Sequence, residues 1–396
     1  MPSITGTVTN ANGELATFNI LDTIRQFAGG FGAIGTIVYT GTGNGTVSNI
    51  TSTANAPTET WTLTCISESS DGGVFSVEGS VSGVYSEDAT VGVPYNNGTI
   101  SFTINDGAID FQNGDTIEIP VTEGIMSQQG IEWEILRWNS SPLDDGGANF
   151  QQLIMKGKGF TSDEEIYVGM YLYQSVANDY YNIAVATMRG YLSTASFNGQ
   201  PGISPICTAC GHNITITYWL SINPQRVNCV MKVGTPVYEY FTVGKFFPYA
   251  FPSQYPQPLM VGATLAGTPA TRYSSTASTH TWGIKGNLSQ FRTFLNSGTW
   301  NQSYCFPYSV ASDEAMLYNA MRPAGTSTAN YTYPILPIEI YTLSPTNIYG
   351  RLDGLYWITG FDNVTENTVT VDGKNFVVFQ DIFRTGFGDY FAMELD

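Results

Sequence analysis

Short stretches of alternating apolar and polar residues recur along the first third of the chain. TWTLTCI (60–66), VFSVEGSV (74–81), TISFTIN (99–105) and DTIEIPV (115–121) each place apolar side chains at every second position. A period of two is typical of strands with one buried face. The turn-forming clusters SSDGG, NNG, NDG and QNGD separate them. This spacing predicts an immunoglobulin-like β-sandwich over residues 41–122.

Residues 1–40 combine one strand-like stretch with one helical stretch. ITGTVTN (4–10) alternates as a strand does, and residues 19–27 have the pattern of a short helix that ends at a Gly-Gly pair. Asp22 and Arg25 could form an ion pair three residues apart on that helix. A helix this short is not stable alone, so we expect an N-terminal arm that packs on its own chain or on a neighbour.

Aromatic density rises after residue 121, and residues 125–396 predict a larger β-rich body. Three hairpins and three C-terminal strands are expected there, at 132–138 with 150–159, 165–176 with 180–191, 214–222 with 227–234, and at 349–361, 367–373 and 375–383. One helix is predicted near Ser312–Met321, with Ser312 as its N-cap. The predicted fold is therefore all-β: an immunoglobulin-like β-sandwich followed by a β-sandwich or jelly-roll-like body with few helices.

The charge content narrows the classes of partner. Only 12 % of the residues are charged, and the formal net charge is −18. An acidic chain repels nucleic acid and anionic membranes, so neither is expected as a direct partner. Large uncharged faces suit contacts between subunits, whose central residues are poor in charge. Residues 1–10 lack the features of a secretory signal, and no apolar run is long enough to span a membrane, so we expect neither export nor insertion.

The most distinctive short motif is Cys207-Thr-Ala-Cys210-Gly-His212, with Cys229 further along the chain. Three thiols and an imidazole could bind zinc, but a second paired motif is missing. The odd total of five cysteines, which also include Cys65 and Cys305, argues against a disulfide framework. Ordinary thiols are favoured over a disulfide formed after host lysis and over a metal site, and no cofactor is expected.

Candidates for catalysis are few. The chain has two histidines, His212 and His280, and no Gly-x-Ser-x-Gly turn, so a hydrolytic triad is disfavoured. A glycosidase needs paired carboxylates, and the candidates are Asp144/Asp145, Asp163/Glu164/Glu165, Asp313/Glu314 and Glu339. Most of them lie in turns or at element starts, where acids are solvated. The chain is therefore predicted not to be an enzyme.

The loop NDGAIDFQNGD (105–115) is rich in oxygen ligands of the kind that calcium prefers. Its candidate ligands are Asn105, Asp106, Asp110, Asn113 and Asp115. The spacing does not match an EF-hand loop, and two Asx-Gly turns explain the composition more simply.

A Pro-aromatic segment, residues 238–256, is the candidate working surface. Its rings could anchor an interface between subunits, cover the open end of a sandwich, or stack on sugars. We favour an interface formed by Tyr238, Tyr240, Phe246, Phe247, Tyr249, Phe251 and Tyr255.

Several segments resemble a family of tailed-bacteriophage virion proteins. They are EWEILRW (132–138), LIMKGKG (153–159), EIYVGMYLYQSVANDYYN (165–182), FNGQPG (197–202), ITYWLSINPQR (216–226), VYEYFTVGKFFPYAFPSQYPQPLMVG (237–262) and YGRLDGLYWITGF through VVFQDIFRTGFGDYFAMELD (349–396). Residues 1–122 resemble the immunoglobulin-like module of many phage structural proteins, through NGTVSNITSTANAPTETWTLTCIS, FSVEGSVSG and ISFTINDGAIDFQNGDTIEI.

This resemblance implies a non-enzymatic structural role in the virion and carries over no catalytic residues. A neck or collar position is our first expectation, while tail, baseplate and head decoration stay open. The expected partners are further copies of the chain, in a symmetric homo-oligomer, and other virion proteins. A receptor- or glycan-binding appendage that contacts host surface glycan is the main alternative, and a tail depolymerase is a third.

Overall fold

The computed structural model describes residues 2–11, 13–142, 149–161, 164–267, 269–277, 279–285, 290–308, 335–343, 346–360 and 363–395. The helix predicted near Ser312–Met321 lies outside the described residues. The same holds for the candidate acids Asp144, Asp145, Asp163, Asp313 and Glu314.

The described part of the chain is built almost entirely from strands. In chain order the strands are β1 (Ser3–Val8), β2 (Ala33–Ile34), β3 (Val38–Thr40), β4 (Thr46–Ser52), β5 (Glu59–Ser69), β6 (Gly72–Gly79), β7 (Gly83–Val84), β8 (Ala89–Thr90), β9 (Pro94–Asn96), β10 (Ile100–Asn105), β11 (Thr116–Thr122), β12 (Glu134–Pro142), β13 (Asn149–Gly157), β14 (Ile166–Ser175), β15 (Tyr180–Met188), β16 (Cys207–Ala209), β17 (Ile216–Asn223), β18 (Arg226–Gly234), β19 (Val237–Lys245), β20 (Phe247–Pro248), β21 (Leu259–Ala263), β22 (Leu265–Ala266), β23 (Phe291–Phe294), β24 (Trp300–Gln302), β25 (Tyr304–Phe306), β26 (Leu336–Leu343), β27 (Thr346–Trp357), β28 (Thr368–Val371), β29 (Lys374–Gln380) and β30 (Tyr390–Glu394). The α-helices among the described residues are α1 (Ala16–Ala28) and α2 (Ile125–Gln128), and short 3₁₀ helices span Val176–Asn178 and Gly283–Lys285.

The chain forms two compact units. The sandwich unit is Gln26–Glu132, and the body unit is Met1–Arg25 together with Trp133–Asp396. The predicted sandwich, residues 41–122, lies wholly inside the first unit. The predicted arm, residues 1–40, is divided between the two, because β1 pairs antiparallel with β17 in a sheet of the body.

The sandwich unit packs two antiparallel sheets face to face. One sheet has the order β4-β10-β9, and the other has the order β2-β11-β5-β6-β7, with β3 on β11 and β8 on β6. In β5 every second side chain from Glu59 to Cys65 is buried, as the alternating sequence predicts. Trp61 and Phe75 from one sheet share a core with Phe102 from the other. Burial of large aromatic side chains between the sheets is the main source of stability here.

The described residues of the body unit form three antiparallel sheets. A central sheet has the order β1-β17-β18-β19-β21-β23-β24. A second sheet, β12-β13-β14-β15-β16-β22, contacts it where the Thr187 hydroxyl donates to the Met260 carbonyl at 2.5 Å and accepts from the Gly244 amide at 3.0 Å. The third sheet, β25-β26-β27-β30-β29-β28, contacts it through the rings of Trp219 and Phe379, whose centroids lie 5.0 Å apart.

Because the central sheet is covered on both faces, all nine residues of β19 are buried. A strand covered on both faces does not alternate between apolar and polar positions.

Helix α1 belongs largely to the body unit. The Asn10 side-chain oxygen accepts a hydrogen bond from the Ala16 amide at 2.9 Å and so satisfies one of the free N–H groups at the helix start. The predicted pair forms, with Arg25 Nε donating to Asp22 Oδ1 at 2.7 Å, and Arg25 also lies 4.9 Å from the centroid of the Trp138 ring. The predicted helix is therefore confirmed, with tertiary contacts along its length.

The predicted all-β, sandwich-like fold is confirmed. The three predicted hairpins of the body are present as β12/β13, β14/β15 and β17/β18. The last turns over NPQR, where Asn223 pairs with Arg226.

Candidate functional site

The structure divides the seven candidate interface aromatics into two groups. Four are core residues that are at most 3 % exposed and do not form a surface, a correction to the predicted interface: Tyr238, Tyr240, Phe246 and Tyr255. The other three, which we call the aromatic edge, are exposed: Phe247 at 49 %, Tyr249 at 54 % and Phe251 at 74 %. Tyr238 and Tyr240 are buried because β19, in which they lie, is covered on both faces. Phe246 and Tyr255 follow β19 and are buried against each other.

The buried members hold the aromatic edge in place from both ends. Phe246, directly before the edge, packs its ring against Tyr255 at a centroid distance of 5.7 Å. The Tyr255 hydroxyl donates to the Phe294 carbonyl, and its amide donates to the Phe251 carbonyl at 2.9 Å. The segment therefore leaves the core and returns to it within a few residues.

Two of the three rings at the aromatic edge, Phe247 and Tyr249, are fixed by backbone pairing and polar contacts. Phe247 pairs with Arg351 of β27, whose guanidinium lies 5.1 Å from the ring centroid. The Tyr249 hydroxyl donates to Glu339 Oε2 at 2.5 Å, and partial burial and this bond raise the pKa of Tyr249 to about 12. The Tyr249 amide donates to the Tyr349 carbonyl at 3.0 Å. These contacts hold the first two rings in one arrangement.

Strand β27 carries a further exposed apolar residue. Ile348 is 63 % exposed and lies next in sequence to Tyr349, the backbone partner of Tyr249. Charged residues also border the aromatic edge, because Arg351 lies against the Phe247 ring and Glu339 accepts from Tyr249.

The Cys-x-x-Cys-Gly-His motif does not form a single site. All five cysteines are buried and free. Cys207 donates its thiol to the Gln290 carbonyl at 3.4 Å, and burial raises its pKa to about 12. Cys229 lies within β18, and burial raises its pKa as well. His212 lies against the ring of Tyr273 at a centroid distance of 5.1 Å.

Cys210 instead meets two residues that the sequence analysis did not connect with it. Its thiol, a carboxylate oxygen of Glu239 and a ring nitrogen of His280 all lie within 4.8 Å of one another, and all three residues are buried. Burial raises the pKa of Glu239 to about 8, and nearby Asp381 adds to the shift. Burial lowers the pKa of His280, and the charge of Arg384 adds to that effect.

A signal for this cluster was present in the sequence. Glu239 stands between two tyrosines in the strand VYEYF, and a carboxylate inside an apolar strand is rare unless it is paired. The sequence does not say which distant residues meet it.

The candidate glycosidase acids that the structure describes are held by other side chains. Glu164 accepts bonds from Lys245 and from Gln225, the latter at 2.7 Å. Burial opposes the ionised form of Glu164, but these bonds outweigh it and lower its pKa. Glu165 accepts from Lys156 at 2.8 Å, and Glu339 accepts from Tyr249. The lowered pKa values of Glu164 and Glu165 make these two carboxylates poor general acids.

The loop over residues 105–115 folds around one carboxylate. Asp115 accepts three backbone hydrogen bonds at 2.8–2.9 Å, from Thr42, Gly43 and Gln112. These bonds outweigh the opposing effect of burial and lower its pKa. Asp106 and Asp110 lie instead beside Asp71, whose amide donates to Asp110 at 3.1 Å. The five residues proposed as calcium ligands are therefore not brought to one point.

None of the helices in the described ranges is long and apolar enough to cross a membrane. No protein-family model matches the chain, and no curated protein matches it either.

Proposed function

We propose that this chain is a non-enzymatic structural component of a tailed-phage virion, at the neck or collar or associated with the tail, which assembles as a symmetric homo-oligomer with other virion proteins. The observation that carries the assembly part is the aromatic edge, Phe247, Tyr249 and Phe251, which is exposed on a rigid β body. The phage part rests on the resemblance of the body segments and of the N-terminal module to phage structural proteins.

The composition supports an assembly surface at this place. Interface centres are rich in aromatic residues and poor in charge, and the whole chain is only 12 % charged. Tyrosine and phenylalanine offer a large contact area with few rotatable bonds.

The fixed geometry of the edge also favours binding. Association costs free energy for every side chain that has to be ordered, so rings already held in one arrangement lose less. Phe247 is held by the β20–β27 pairing, and Tyr249 by Glu339 and the Tyr349 carbonyl. In a closed ring the same contact recurs around the axis, so a modest free energy per contact is sufficient.

Electron cryo-microscopy of a phage particle that carries this chain tests the proposal. The expected result is a closed ring of copies around the head–tail axis, with Phe251 at a contact between subunits. Copies spread over the lateral capsid lattice would overturn the collar assignment. Absence of the chain from purified particles, measured by peptide mass spectrometry, would overturn the virion role.

A second candidate function is binding of host surface glycan. The exposed rings of Tyr249 and Phe251 favour it, because sugars stack on aromatic faces. A glycan array with the purified chain separates the two functions. Saturable binding that a Phe251→Ser substitution abolishes, by a chain that stays monomeric, would replace the assembly proposal with an adhesin.

A further inference from the structure

The strongest unassigned feature of the body unit is the buried cluster of Cys210, Glu239 and His280. We infer that these three side chains form a binding site for a divalent transition-metal ion, and that Zn²⁺ is the ion this ligand set suits. Thiolate, imidazole and carboxylate are the three ligand types of protein zinc sites. A thiolate also selects against magnesium and calcium, which prefer oxygen ligands.

The spacing of the ligand atoms fits one shared ion. Glu239 Oε1 and His280 Nδ1 lie 3.9 Å apart, which is too far for a hydrogen bond. Two ligands bound to one tetrahedral zinc ion at the usual bond lengths lie about 3.3–3.8 Å apart. Small side-chain movements therefore place both atoms on the same ion. The thiol of Cys210 lies within 4.8 Å of a carboxylate oxygen of Glu239 and of a ring nitrogen of His280.

The same two atoms have no hydrogen-bond partner among the residues that the structure describes. Glu239 Oε1 and His280 Nδ1 are both buried, in side chains that are 0 % and 3 % exposed. A buried polar atom without a partner is destabilising and is uncommon in folded proteins. A shared ion would provide both atoms with a ligand bond at once.

The surrounding contacts orient the ligands in the way that metal sites require. The Cys210 amide donates to Glu239 Oε2 at 3.1 Å and so leaves Oε1 directed at the cluster. The His280 ring lies within hydrogen-bonding reach of the backbone of Ser274. A metal-bound histidine commonly donates its other N–H to a backbone carbonyl, which fixes the ring.

The charges of the cluster balance. A thiolate from Cys210 and a carboxylate from Glu239 neutralise one divalent ion, and neutral His280 completes three positions. The positive groups nearby have their own counter-charges, because Lys285 bonds to Asp381 and Asp389, and Arg384 bonds to Asp381. A neutral centre avoids the free-energy cost of leaving a net charge buried.

The position of the cluster indicates a structural role for the ion. Cys210 follows β16 of the second sheet, Glu239 lies in β19 of the central sheet, and His280 precedes the 3₁₀ helix Gly283–Lys285. The ion would therefore tie two sheets and one loop together. Three protein ligands with a water molecule in the fourth position is the usual set of a catalytic zinc site, but burial of all three ligands here denies access to a substrate.

Metal binding by the full-length chain tests the inference directly. The protein is stripped with a chelator, titrated with Zn²⁺ by calorimetry, and its metal content is measured by elemental mass spectrometry. The expected stoichiometry is one ion per chain. Titration with Co²⁺ is expected to give visible bands of tetrahedral strength and a thiolate-to-cobalt charge-transfer band in the near ultraviolet.

Variants identify the ligands. Cys210→Ser and Glu239→Gln are each expected to weaken the affinity for zinc by more than about tenfold. Loss of a residue that only orients a metal ligand already lowers metal affinity by about tenfold. Cys207→Ser is the matched control. Cys207 is as buried as Cys210 and lies in β16, directly before it, but its thiol donates to the Gln290 carbonyl and is not part of the cluster. This variant should bind zinc as the wild type does. Far-ultraviolet circular dichroism confirms folding of each variant.

Three results would overturn the inference, and the first two need no variant. They are the absence of saturable zinc binding to the wild type, a cobalt spectrum without the charge-transfer band, and unchanged affinity in Cys210→Ser.

Discussion

The guanidinium of Arg351 lies 5.1 Å from the centroid of the Phe247 ring, and the two residues face each other in the antiparallel pairing of β20 with β27. A cation–π contact at an exposed site contributes about 0.5–1 kcal/mol. The contact covers one part of the ring while 49 % of the residue stays exposed. An exposed ring that is held in place is suited to contact with a second surface.

The boundary between core and surface falls between Phe246 and Phe247. Substitutions on the two sides of this boundary should differ in their effect on stability. Phe246 is fully buried, so Phe246→Ala should lower the free energy of unfolding by about 3–5 kcal/mol. Phe251→Ser should change it by no more than about 0.5 kcal/mol, since 74 % of Phe251 is exposed. Urea denaturation followed by circular dichroism measures both. Comparable losses in the two variants would show that the edge belongs to the core.

The ion pair of Glu164 with Lys245 is predicted to contribute more to the free energy of unfolding than the ion pair of the next residue, Glu165, with Lys156. Lys245 is only 8 % exposed, so Glu164→Gln leaves a buried ammonium without its counter-charge and should cost about 3–5 kcal/mol. Glu165→Gln is the matched control, because Glu165 pairs with Lys156 at the surface and contributes at most about 1 kcal/mol. Thermal unfolding of the two variants measures the difference, and Glu164→Gln is expected to have the lower melting temperature. Equal melting temperatures would contradict it.

Asp115 is predicted to give the sandwich unit a stability that depends on pH. Its three backbone hydrogen bonds lower its pKa, so the folded state favours the ionised carboxylate. A lowered carboxyl pKa stabilises the fold fully above the ordinary value of 3.8, and this stabilisation is lost as the pH falls through the folded value.

The substitution Asp115→Asn removes the charge and should cost about 1–3 kcal/mol at neutral pH. The difference from the wild type should shrink as the pH is lowered below about 4, because the wild-type carboxyl is then protonated as well. Urea denaturation at several pH values measures it, with Asp88→Asn at an exposed position as control. A difference that stays constant with pH would rule out the carboxylate as the cause.

The fold class was predictable because a strand leaves a local pattern of alternating apolar and polar residues in the sequence. The alternating stretch 60–66 lies within β5, the stretch 115–121 overlaps β11, and the NPQR turn joins β17 to β18. The exposure of side chains in β19 was not predictable in the same way. Tyr238 and Tyr240 are buried by Phe379 and Phe391 of another sheet, and neither contact leaves a local pattern.

The cluster of Cys210, Glu239 and His280 was missed for a related reason. The three residues are far apart in the sequence and come from two sheets and a loop. The nearby Cys207 and His212 offered a local motif that the fold does not bring together. Tertiary packing, which no spacing along the chain encodes, decides which polar groups meet.

Native mass spectrometry of the purified chain tests the central claim, assembly through the aromatic edge, most directly. The wild type is predicted to form one closed oligomer, and the double variant Phe247→Ser/Phe251→Ser is predicted to be monomeric with an unchanged circular dichroism spectrum. The double variant Val81→Ser/Val84→Ser serves as control, since both valines are exposed in the sandwich unit. A wild type that is monomeric at every concentration, or an oligomer that the aromatic double variant leaves intact, would contradict the account.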